Sequence, residues 1–187
     1  MSDGPHRSLP MKRHWRDLAE RGTKAAFSAD DVRDAVPYAL RKDARELPLD
    51  AIRDILGGGK QGSLFRSDRV AQLEAAREAC RGSALGNVLI DCAVETVTNG
   101  LTGDAACRSA LANAFADHTR NEFRSVEEHY QREAGARSAR FVRERLDTAR
   151  GRCDFTALAS ELMTPVKPSR NAPRLPKRTG LDEGLSR

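Results

Sequence analysis

From residue 14 onward, apolar side chains recur three and four positions apart with charged residues between them. That spacing returns to one face of an α-helix and seldom settles into the alternation of a strand. Trp15, Leu18, Gly22 and Ala25 share such a face and predict a first helix over 14–26. Ser28 with Asp31 forms a capping-box pattern for a short second helix, expected to stop before Pro37, with a further helical turn over 38–45. Leu47-Pro48 opens another helix, with proline at its first position, Ile52, Ile55 and Leu56 on one side and Gly57 as terminator. Ser67 is expected to cap a helix carrying Val70, Leu73 and Cys80 that ends at Gly82.

The stretch 84–99 is apolar almost all round, with Leu85, Val88, Leu89, Ile90, Val94 and Val97, and is expected to be the central buried element. Its polar side is limited to Asn87, Asp91, Glu95 and Thr98. Asn99-Gly100 ends it, and Thr102 starts a long helix over 104–134 that Gly135 breaks. An Arg-rich helix over 137–150 follows, with Ala139, Val142, Leu146 and Ala149 in line and Phe141 to one side. After Gly151, Phe155, Leu158 and Leu162 predict a last amphipathic helix that stops before Pro165. β-branched and aromatic residues are sparse, so strands have little to build on. The predicted fold is all-α: one irregular helical bundle over 13–163, with flexible arms at 1–12 and 164–187. Those last 24 residues hold four prolines, two glycines and too few hydrophobes to offset the entropy of ordering.

Composition changes this picture mainly through where the charge lies. The 187 residues carry a formal net charge of +5. Residues 1–29 hold six basic and three acidic side chains and 164–187 hold six and two, leaving 20 basic against 22 acidic over 30–163. The bundle itself is therefore slightly acidic, unlike a domain built to grip phosphates, and any contact with nucleic acid falls to the basic arms. Arginine outnumbers lysine 26 to 6, a bias that GC-rich coding produces and that also suits pairing with carboxylates on helical surfaces. No run of 18 apolar residues predicts a membrane span, and basic residues interrupt every short hydrophobic run in the first thirty positions. The expectation is a cytoplasmic protein that, if exported, leaves without a Sec-type signal.

Four patterns carry possible chemistry. Cys80, Cys92, Cys107 and Cys153 all fall on apolar stripes without a Cys-x-x-Cys pair, which reads as free core thiols and argues against a structural metal. Cys92 and Cys107 lie at similar depth on either side of the turn near Gly100, an arrangement that permits a disulfide in an oxidising compartment. Gly57-Gly58-Gly59-Lys60-Gln61-Gly62-Ser63 lacks both the hydroxyl after lysine and the preceding strand of a phosphate-binding loop, so it reads as a hinge. On the long helix, His118, Glu122 and His129 lie within about 40° of each other, beside Leu111, Phe115 and Val126. His118 and His129 are separated by roughly 16 Å of helix rise, too far to share one ion. His118 with Glu122 remains as an acid–base pair, a site only if a carboxylate such as Asp91 or Glu95 joins from a facing helix. No Gly-x-Ser-x-Gly is present, and no cofactor is expected.

Leu47-Pro48-Leu49-Asp50-Ala51-Ile52-Arg53-Asp54-Ile55-Leu56 resembles the opening helix of F-box domains: Leu-Pro, an acidic residue two places on, then Ile before a closing Ile-Leu. The resemblance covers ten residues, and the family's later Trp-bearing segment has no counterpart, since 74–81 holds no tryptophan. It implies docking on an adaptor protein through Leu47, Pro48, Ile52 and Ile55. The Pro-rich tail, with Arg170, Arg174, Lys177 and Arg178, suits recognition by an acidic receptor, a chaperone or a secretion apparatus. The expected function is therefore a non-catalytic regulatory or adaptor protein that binds a protein partner, a bacterial effector exported without a Sec signal being one form of it. Two other classes stand beside it: a DNA- or RNA-associated regulator using the arms and the Arg-rich helix, and a small hydrolase or toxin built on His118 and Glu122.

Overall fold

A computed structural model describes residues 29–57 and 65–164. The expected first helix, the glycine-rich hinge beyond Gly57 and the basic tail with Arg170, Arg174, Lys177 and Arg178 lie outside the described residues. Within them the fold is all-α, with seven helices and no strand: α1 (Ala29–Ala44), α2 (Leu49–Gly57), α3 (Arg66–Ala79), α4 (Ala84–Thr98), α5 (Gly103–Ala134), α6 (Ala136–Gly151) and α7 (Phe155–Met163).

The periodicity places α4 to α6 within a residue or two; side-chain caps start α4 and α7, whereas Thr102 precedes α5 without a capping hydrogen bond. The Ser83 hydroxyl accepts the Gly86 N–H at 3.0 Å to start α4, and the Asp154 carboxylate accepts the Ala157 N–H at 2.9 Å to start α7. Two starts shift, that of α2 by one position and that of α3 by two. Pro48 stands just outside α2, its carbonyl accepting the Ile52 N–H at 3.1 Å. Ser67 lies inside the first turn of α3 and does not cap it; the Phe65 carbonyl accepts the Asp68 and Arg69 N–H groups instead.

Pro37 does not end a helix: α1 runs through it as one element from Ala29 to Ala44. Proline has no N–H to give the carbonyl four residues back, which leaves the Arg33 oxygen without its helical donor. The Cys153 thiol, in the connection after α6, lies 4.0 Å from that oxygen, while also 3.4 Å from the Ala149 oxygen of α6. Packing supplies the rest, since Val36, Leu40 and Ala44 form a stripe that is almost fully buried on both sides of the proline.

The hub of the bundle is α5, not the more uniformly apolar α4. With 32 residues it extends for about 48 Å, long enough to pack on α2, α4, α6 and α7 in turn. Its first half buries Ala106, Cys107, Ala110, Leu111, Ala114 and Phe115, small residues alternating with large ones so that neighbouring backbones come close. Its second half buries Phe123, Val126 and Tyr130 and packs on α6, whose buried line of Ala139, Val142, Leu146 and Ala149 matches the sequence expectation. α4 packs chiefly on α3 and α5. α1 lies on α6, and its Arg41 holds Glu161 of α7 through two hydrogen bonds of 3.0 and 2.9 Å.

Gly86 marks the closest approach in this packing. A Cβ there would stand 2.7 Å from Cys80 Cβ and 3.0 Å from Leu47 Cδ2, whereas one on Gly151 would meet nothing within 4 Å. Gly86→Ala is expected to destabilise the protein by about 1–3 kcal/mol through overpacking. Gly151→Ala, inside a helix, is expected to stabilise by about 0.5 kcal/mol. Urea unfolding of the two variants checks this, and equal effects would contradict the packing described.

Candidate functional site

The strongest polar cluster lies inside the bundle, where α1 meets the middle of α5. Here the structure brings together His118, which is 1% exposed, Glu122 at 5%, Thr119 at 0% and Asp43 of α1. His118 Nε2 lies 3.8 Å from Asp43 Oδ2, beyond hydrogen-bond distance, and neither atom has a hydrogen-bond partner. Thr119 Oγ1 is likewise buried without one. A helical spacing of four puts Glu122 on the same face as His118 one turn further along, as the sequence predicts.

The carboxylate that approaches His118 is not one of those expected. Asp91 is exposed and held by Arg77 of α3 at 2.7 Å, and Glu95 points to solvent. Asp43 takes their place because α1 is continuous: Val36, Leu40 and Asp43 fall three and four apart on the stripe that faces the core. That interruption of an apolar stripe by a carboxylate was visible in the sequence once Pro37 is allowed inside the helix. Thr119, next to His118, gave no comparable signal. His129 is half-buried and packs edge-on against Tyr130, with ring centroids 5.8 Å apart, well away from the cluster.

Acid–base chemistry needs a proton donor and acceptor in hydrogen-bond reach of each other or of a substrate. The 3.8 Å gap and the burial of all four side chains do not provide that arrangement. Two surface cavities, one of about 130 Å³ beside Arg53 and Arg108 and one of about 450 Å³ along Ala112, Ala116, Cys153 and Phe155, are lined by other residues. Among the described residues no three of His, Cys, Asp and Glu gather as metal ligands, and no helix is long and apolar enough to cross a membrane.

All four thiols are free. Cys92 and Cys107 do not form the disulfide that their depth permits. The Cys107 thiol reaches the Arg53 carbonyl of α2 at 3.8 Å. Burial pushes the Cys92 thiol up to about 11, with the carboxylates of Asp117, Glu95 and Asp91 adding to the effect. Burial likewise pushes Cys153 up to about 11, with Arg33 opposing and Asp34 adding. Such thiols stay protonated at neutral pH and are poor nucleophiles.

Of the residues that resemble an F-box helix, Leu47 and Ile52 are buried in the core, whereas Pro48 and Ile55 are half-buried at its edge. The large hydrophobic side chains left most open are Phe65 at 76%, Tyr38 at 67%, Leu101 at 51% and Phe141 at 40%. Phe141 is covered on one face by the Arg145 guanidinium, 4.9 Å from the ring centroid. Phe65 and Leu101 share one end of the bundle, since the Arg66 guanidinium lies 3.5 Å from where a Cβ on Gly100 would stand. No protein-family model, curated protein or solved structure matches this chain.

Two outcomes follow from the interior cluster and the thiols. Thr119→Val replaces a buried, unpartnered hydroxyl by a methyl group and is expected to raise the unfolding free energy by about 1 kcal/mol. A loss of similar size in urea unfolding would show that the hydroxyl is partnered. For Cys92 and Cys153, whose pKa is raised by folding, the folded state retains the proton longer than the unfolded chain. Their contribution to stability is therefore complete below pH 9 and lost as pH rises towards about 11. Substituting both by Ala should flatten the fall of melting temperature between those limits, and an unchanged slope would contradict the assignment.

Proposed function

We propose that this protein is a non-catalytic regulatory or adaptor module that works by binding another protein through its helical surface. The observation that carries this reading is the exposure of Phe65 and Leu101 at one end of the bundle. Single exposed hydrophobes are ordinary, but a phenyl ring and a leucine both left open at the same end of the bundle offer apolar surface that a partner can desolvate. Pro48, just before α2, and Ile55 within it are further apolar residues left partly open. The basic tail, through Arg170, Arg174, Lys177 and Arg178, adds a second contact for an acidic partner or an export apparatus, and an effector exported without a Sec signal is one form of this proposal.

The local pairing of arginines supports the choice over a phosphate-binding role for α6. Arg140 pairs with Glu144 at 3.0 Å, Arg143 with Glu127 of α5 at 3.3 Å and Arg150 with Asp147 at 3.8 Å. A cation already matched to a carboxylate adds little to a field that attracts nucleic acid. The catalytic alternative requires His118 and Glu122 to meet a substrate, and both are interior.

The test is capture of a partner from the native source by the full chain, compared with Phe65→Ser/Leu101→Ser and with a chain lacking 164–187. The double variant is expected to lose capture by at least about tenfold, while its melting temperature stays within about 2 °C of the parent. Capture that survives both changes would contradict the proposal. Capture of nucleic acid that falls steeply with added salt would replace it with the alternative carried by the basic arms.

A further inference from the structure

The middle of α2, the first turns of α5 and the C-terminal end of α7 enclose a partly covered cavity of about 130 Å³. At roughly 30 Å³ per water it has room for about four waters, which suits a small ion or a compact acid and is too small for a nucleotide. Its walls carry Arg53 from α2, Asp104, Cys107 and Arg108 from α5, and Ser160 and Thr164 from the end of α7. Residues from three separate elements converge there, so the arrangement exists only in the folded chain.

The charges at this spot favour an anion. Arg53 and Arg108 supply two guanidinium groups, against the single carboxylate of Asp104 on the same walls. Asp50 pairs with Arg53 Nη2 at 3.1 Å from an exposed position, where solvent screens it and where it leaves the rest of the fork unoccupied. Arg53 Nε is buried and has no hydrogen-bond partner, a charged donor withdrawn from water without an acceptor. Arg108 is exposed and free to turn towards a ligand. The Cys107 thiol between them does not act as the missing anion. Burial raises its pKa, with Asp104 adding to the effect and the two arginines opposing it, so the sulfur stays neutral near pH 7. The Thr164 hydroxyl is committed to the Ser160 carbonyl at 2.7 Å, which leaves the Ser160 hydroxyl as the neutral donor on that wall.

We propose that this cavity binds a small oxyanion, the carboxylate or phosphate group of a free low-molecular-weight acid, held between Arg53 and Arg108 with the Ser160 hydroxyl as a third donor. Planar guanidinium groups present paired N–H donors that match such oxygens, and the partial cover over the cavity strengthens each contact by limiting solvent. The site is distinct from the Phe65 and Leu101 surface, and its occupancy does not depend on the adaptor reading.

Calorimetric titration of the full chain with inorganic phosphate and with acetate, at constant ionic strength against chloride, tests this directly. Saturable one-to-one binding of phosphate, acetate or both is expected, and the stronger of the two identifies the ligand group. Arg108→Gln, at an exposed position, is expected to weaken that binding at least about tenfold. Asp104→Asn, which removes the opposing charge, is expected to tighten it several-fold, an effect that a merely damaged fold does not give. Arg120→Gln, on the opposite pairing with Asp117, serves as control and is expected to leave binding unchanged. Heats indistinguishable from chloride, or binding that neither Arg108→Gln nor Asp104→Asn alters, would overturn the proposal.

Discussion

The structure depends on one constraint: a single helix of 32 residues must be buried along most of its length by partners too short to cover it alone. α5 meets that constraint by rotating its buried face along the axis. Near its start the covered residues are Ala106, Cys107 and Ala110, against α2, α4 and α7; near its end they are Phe123, Val126 and Tyr130, against α6. Every other helix is placed by which segment of α5 it covers, directly or through a neighbour. The small residues of the first half allow three partners to approach, and the larger ones of the second half fill the wider space left beside α6.

The same constraint accounts for the polar groups in the interior. Midway along α5 the covered face passes through His118, Thr119 and Glu122, at the level where α1 ends and Asp43 comes within 3.8 Å of the imidazole. Residues that look like chemistry in a linear reading are here part of a packing junction. Burying polar groups with imperfect pairing lowers stability, and it also restricts how the end of α1 can meet the middle of α5. On the surface several arginines do meet carboxylates, as Arg77 does with Glu74 one turn away on α3 and with Asp91 on the neighbouring α4, whereas the apolar side chains of Phe65 and Leu101 are left open to solvent.

Much of this was legible in the sequence, because an amphipathic stripe is a property of neighbouring residues. The line Ala139, Val142, Leu146, Ala149 and the breaks at Gly100 and Gly135 needed no tertiary information, and both glycines hold positive φ where the chain turns. Pro37 departs from the sequence expectation for a physical reason. The rule that proline ends a helix is local, whereas the contacts that hold α1 together come from Cys153, more than a hundred residues away, and from the core beneath Val36 and Leu40. Breaking α1 in two also hid Asp43, since a carboxylate in a weak turn attracts no notice while one on a buried stripe does. The cavity between α2, α5 and α7 could not be anticipated at all, because Arg53, Arg108 and Ser160 have no relation in the sequence and meet only through the packing of three helices.

A packing junction at the middle of α5 requires His118 to stay in the interior of the folded chain. Modification of the native full chain with diethyl pyrocarbonate, followed site by site by mass spectrometry, measures this. The half-buried His129 is predicted to react in the folded protein, while His118 reacts only at the rate of unfolding and becomes fully reactive in urea. Rapid modification of His118 in the folded chain would mean that the polar cluster opens to solvent, and the reading of it as a packing junction would be wrong.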